Sequence, residues 1–80
     1  MGKPNAKYKV GDIVRITPAP WHPYANHDAR IEGVEWTMHN NYHYKITILR
    51  YQGVAQGPET WAPEYLFEGV VVGKTVRRVQ

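Results

Sequence analysis

Eighty residues allow one domain, and a chain this short buries only about 60–65% of the surface it exposes when unfolded, so its core is small. An apolar share of 42% with 12% aromatics excludes a disordered chain. The lack of cysteine excludes a disulfide framework and a thiolate metal site, and no apolar run nears the ~18 residues of a membrane span. The net charge of +3 is unevenly placed: residues 1–27 carry Lys3, Lys7, Lys9 and Arg15 against Asp12, residues 69–80 carry Lys74, Arg77 and Arg78 against no acid, and the middle is net acidic by three.

In chain order, "YKVGDIVRIT" predicts a strand entered through a Gly-Asp turn, with Val14 and Ile16 on one face and Arg15 on the other. "PAPWHPYANH", Pro18 to His27, is a loop with three prolines. "ARIEGVEWTM" then alternates Val34, Trp36 and Met38 against Gly33, Glu35 and Thr37, which predicts a strand with one buried face. Asn40-Asn41 suits a tight hairpin, from which "YHYKITILRY" returns with Tyr42, Tyr44, Ile46 and Ile48 facing one way. The predicted core is Val14, Ile16, Val34, Trp36, Ile46 and Ile48.

"QGVAQGPE" is a predicted loop and "TWAP" a short strand ended by Pro63. "PEYLF" suits one 3₁₀ turn, with Pro at its first position and Glu64 near the positive end of the peptide dipoles. "GVVVGKTVRRVQ" supplies a β-branched strand, bent or doubled at Gly73-Lys74. The expectation is therefore a single all-β domain over residues 1–80, with its core at about 8–72 and a basic C-terminal strand at 73–80.

"KVGDIVRI" near the front and "WAPEYL" near the back, with a long loop after the first strand and a 3₁₀ turn before the last, resemble the SH3-like small β-barrels. Similar openings occur in type II plasmid-borne dihydrofolate reductases, nitrile hydratase beta chains and the SH3-like subunit of photosystem I. The resemblance covers about residues 8–72, implies a barrel of five or six short strands, and argues fold rather than function. The reductase resemblance would imply a Val-Gln-Ile-Tyr tetrad where this chain has "ETWAP", and the tetrad is absent. A nitrile hydratase beta chain is much longer, so the match to residues 11–66 would imply only a barrel that docks on another protein.

Three surfaces can carry chemistry. The first is an aromatic groove in which Trp21 and Tyr24 of the long loop face Tyr42 and Tyr44, a platform for a protein partner. For Trp21 a second role is open, that of a cap over one end of the core. The second surface is a basic face of Lys7, Lys9, Arg15, Lys74, Arg77 and Arg78, formed if the two ends meet, which suits a nucleic-acid backbone. The third, an enzyme site, needs a homo-oligomer with a shared central pore, as the resemblance to the reductases would imply. The chain has no Ser/His/Asp arrangement, phosphate loop or dinucleotide fingerprint, and Glu32, Glu35, Glu59 and Glu64 fit exposed strand and turn positions. His22, His27, His39 and His43 lack ligand spacing and are expected to be solvated. The expectation is a cytoplasmic, non-enzymatic adaptor without metal or cofactor that docks a protein partner through the aromatic groove, with nucleic acid as the alternative. Its compactness suggests a phage or mobile-element origin.

Overall fold

A computed structural model describes residues 3–79. Six strands form one antiparallel sheet: β1 (Ile13–Ile16), β2 (Asp28–Trp36), β3 (Tyr42–Tyr51), β4 (Val54–Pro63), β5 (Phe67–Val72) and β6 (Thr75–Arg77). A 3₁₀ turn, Glu64–Leu66, links β4 to β5. The spatial order is β4-β3-β2-β1-β5-β6: a meander of four strands, after which the chain returns to pair β5 with β1. Among the described residues no ladder joins β4 to β6, so the sheet is open.

The apolar alternation decides which face closes. Val14 pairs with Ala29, Ala29 with Ile48, Ile31 with Ile46, and Tyr44 with Ala62, and all of these are buried. Each fully buried Ile or Val contributes about 1.5–3 kcal/mol. The sheet curls strongly about this face. Tyr44 on β3 and Phe67 on β5 are three strand spacings apart, about 14 Å in a flat sheet, yet their ring centroids lie 5.5 Å from each other.

A bulge corrects the sequence reading of β2. On β2 the register shifts between Ile31 and Gly33, which leaves Glu32 as an extra residue. The inward set is therefore Ala29 and Ile31 before the bulge and Val34 and Trp36 after it. A single alternation finds the second pair and misses the first. Even so, Val34 lies at the rim and is exposed, Trp36 is half-buried against the core, and Met38 sits 90% exposed in the turn beyond the strand.

The predicted 52–59 loop is mostly strand, because β4 begins at Val54, straight after a two-residue turn at Gln52 (φ 51°) and Gly53 (φ 79°). Pro58 is tolerated because β4 is an edge strand, and a register shift falls opposite Gly57-Pro58. At Gly57 a side chain would meet the Ile48 carbonyl at 2.9 Å, so only glycine lets the two strands approach there. The C-terminal segment is doubled rather than bent: Gly73, at φ 62°, turns the chain so that β6 pairs back on β5. The first strand is shorter than predicted, although Tyr8, ahead of it, is buried.

Candidate functional site

Eight of the ten aromatic residues fall into two groups at opposite ends of β3, while Trp61 and Tyr65 stand exposed outside both. In the first, Tyr44 is fully buried and meets Tyr8 and Phe67 edge-on, while Tyr42 carries Trp36 at a centroid distance of 4.8 Å. The Tyr44 hydroxyl donates to Glu64 and accepts from the Tyr8 backbone N–H. Burial, and then the bond to Glu64, push the phenol above its usual range. The Tyr42 hydroxyl donates to the Pro4 carbonyl at 2.6 Å.

The second group belongs to the long loop. Successive turns, His22 N–H to Ala19, Ala25 N–H to His22 and His27 N–H to Tyr24, fold it, and Asn26 N–H closes on the Ile16 carbonyl. Three prolines stiffen it further. Trp21, at its tip, is 72% exposed and touches His22 edge-on; Tyr24 packs on Tyr51, and so does His27. Tyr51 and Tyr42 are separated by the length of β3, about 30 Å of strand. The expected single groove of Trp21, Tyr24, Tyr42 and Tyr44 is therefore not assembled: two of its members sit on the loop, and the other two are core side chains at the far end. The structure also answers the question about Trp21, which covers no part of the core.

The basic ends do meet, in part. Lys7, Lys9, Arg77 and Arg78 line one groove of about 410 Å³, floored by Val70, Val72 and Val79 and bordered by Asp12. Buried Tyr8 pins the segment before β1, where Lys7 N–H donates to the Glu64 carboxylate and Lys9 N–H to the Asp12 carboxylate at 3.0 Å. On the other wall β5 pairs β1 and β6 pairs β5. Gly69 permits this approach, since a side chain there would lie 2.2 Å from the Arg77 carbonyl oxygen. Two ion pairs occur among the described residues, Arg15–Asp28 and Arg30–Glu32, and neither involves the four groove cations.

Arg15 and Lys74 lie elsewhere. They border a cleft on the outer face of the sheet together with Arg50, a residue the sequence did not single out. Arg15 bonds there to Asp28, a contact that raises its already high pKa.

Of the remaining candidates, Glu32, Glu64, His22 and His27 have local partners. Glu32 accepts from Arg30 and from the buried Thr47 hydroxyl, and the Arg30 bond first, then Thr47, holds its carboxyl below the usual range. Glu64 is tied to Tyr44 and Lys7 rather than to a second carboxylate. His22 accepts from the Tyr24 N–H, His27 bonds the Ala25 carbonyl, and among the described residues no three His, Cys, Asp or Glu side chains gather as a metal would need. No helix among them is long and apolar enough to cross a membrane. No family model matches the chain, and no curated protein or solved structure matches it either.

Proposed function

We propose that this chain is a small non-enzymatic binding protein whose working surface is the cationic groove of Lys7, Lys9, Arg77 and Arg78, with the phosphate backbone of nucleic acid as its partner. The observation that carries this reading is the convergence of cations from the two chain ends into one groove with a single carboxylate at its border. Four cations on an apolar floor attract a polyanion, and backbone phosphates meet such a row without any sequence readout. A cytoplasmic setting belongs to the same reading. Support for an SH3-like barrel comes from the meander of β1 to β4, the return of β5 to β1, and the 3₁₀ turn between β4 and β5.

The test is fluorescence anisotropy of a labelled random-sequence duplex across a salt series. Four phosphate contacts give a slope of log affinity against log salt of about −3 to −4 on duplex DNA. Replacing Arg77 and Arg78 with Ala should flatten the slope by up to about 2 units and weaken every sequence alike. Affinity that ignores salt, or survives the double substitution, would overturn the proposal. A second reading, docking of a protein through the loop, is favoured by one observation: an indole left 72% in solvent at the tip of a proline-stiffened loop.

A further inference from the structure

Successive side chains of a strand point to opposite faces, and β3 obeys this until Leu49 and Arg50. Leu49 follows the inward, fully buried Ile48 and lines the outer cleft beside Asp28, so by alternation Arg50 belongs on the inner face. Both nevertheless line the same outer cleft. The cause is the backbone of Arg50, whose φ of 52° lies in the left-handed region. Asn26, Asn40 and Gln52 also have positive φ, but they sit in turns; Arg50 lies within a strand, where glycine would adopt the conformation at no steric cost. A long cationic residue held in a costly conformation at the border of this cleft points to a role for its guanidinium.

The cavity suits such a role. It has a volume of about 580 Å³, within the range of small-molecule sites. Ile13, Leu49 and Val71 form a half-buried apolar floor, with Arg15, Arg50 and Lys74 around it. Asp28, the one acid in the lining, is bonded to Arg15 and holds it in place. Neither Arg50 nor Lys74 forms an ion pair among the described residues. The lining therefore carries two positive charges in excess, the complement of a phosphomonoester dianion.

We propose that this outer-face cleft binds a free small molecule carrying a terminal phosphate on an apolar or planar body, such as a nucleoside monophosphate. The site is separate from the groove of Lys7, Lys9, Arg77 and Arg78 and does not depend on its ligand. The body lies on Ile13, Leu49 and Val71 while Arg50 and Lys74 take the phosphate.

Amide NMR titration of the full chain tests this with three probes: adenosine 5′-monophosphate, adenosine and inorganic phosphate. The monophosphate should shift the amides of Leu49, Val71 and Gly73, and bind at least about tenfold more tightly than either fragment. Arg50→Gly suits the backbone, so its melting temperature should stay level or rise while monophosphate affinity falls about tenfold or more, the loss expected for one charge-assisted bond. Arg50→Lys should retain part of the affinity, and Arg77→Ala should leave it unchanged. Equal affinity in wild type and Arg50→Gly, or shifts confined to the Lys7–Arg77 groove, would overturn the proposal. A 5′-phosphorylated oligonucleotide that displaces the monophosphate through its terminus would overturn the small-molecule source.

Discussion

The two ends of β3 carry the same kinds of side chain and treat them in opposite ways. At its start Tyr42 and Tyr44 are sealed under Tyr8, Phe67 and Trp36, and both hydroxyls have hydrogen-bond partners. At its end Tyr51 supports Tyr24 and His27 on a loop whose Trp21 stands in solvent. Aromatic content alone therefore says nothing about a binding surface here. What separates the ends is strand phase and the supply of partners for the polar tips. A tyrosine on the inward phase of a central strand is core, and Tyr44 and Tyr42 stay there because Glu64 and the Pro4 carbonyl accept their hydroxyl hydrogen bonds.

The sharpest way to break this contrast is at Tyr44. Tyr44→Ala should cost about 3–5 kcal/mol, the range for deleting a large aromatic from a core, against a total of about 5–15 kcal/mol for such domains. Urea unfolding should show loss of most of the folded population. Tyr44→Phe keeps the ring but leaves the Glu64 carboxylate and the Tyr8 N–H short of a partner, at about 1–3 kcal/mol. It also carries a pH signature. Because the folded phenol is held above the usual tyrosine value of 10.0, its stabilisation is complete below that pH and is lost as pH rises beyond it. The Phe variant should show a shallower alkaline decline, the remainder coming from Tyr8, which burial and then Glu64 also raise. Identical alkaline profiles would show that the Tyr44 phenol titrates alike in the folded and unfolded chain, against the rise that burial and then Glu64 impose.

Much of the sheet is legible in the sequence because period-two alternation is strong where strands are regular. Tyr42, Tyr44, Ile46 and Ile48 face inward as the pattern requires. The legibility fails at bulges and turns. Glu32 shifts the phase of β2 without any glycine-proline signal at its own position, so Ala29 and Ile31 go unseen. Gly57-Pro58 looks like a loop because an edge strand that tolerates proline has the same local signature. The candidate site is legible in charge and not in geometry. The two basic ends suggest a joint face, but only the pairing of β5 with β1 and β6 decides that Lys7, Lys9, Arg77 and Arg78 share a groove while Arg15 and Lys74 turn to the outer cleft. Arg50 is invisible for a similar reason: nothing in "ILRYQG" announces a left-handed residue before the turn.

Trp36 sharpens the comparison from the intermediate position. On alternation alone it belongs to the core; in the structure it is half-buried, packing on Tyr42 at the rim beside Asn5 and Asn40. Trp36→Ala should therefore cost about 1–3 kcal/mol rather than a full core deletion, a shift in the urea midpoint well short of that for Tyr44→Ala. Equal shifts would place Trp36 inside the sealed core rather than at its rim.

Trp21 gives the smallest stability effect and the clearest separation of roles. Its indole contributes no packing to the core, so Trp21→Ala should leave stability within about 0.5 kcal/mol of wild type, as for exposed positions away from special features, and the thermal melt should be superimposable. If the loop docks a protein, the same substitution should abolish capture of a partner from nuclease-treated lysate, because a large aromatic anchor carries a disproportionate share of interface energy. The salt slope on duplex DNA should not change, since the loop contributes none of the four groove cations. A substantial drop in melting temperature would mean that in solution the indole closes over the Tyr24–Tyr51 pair, which is half-buried against the core. Unchanged melting, unchanged capture and an unchanged salt slope together would remove the loop from the binding surfaces and leave the cationic groove and the outer cleft.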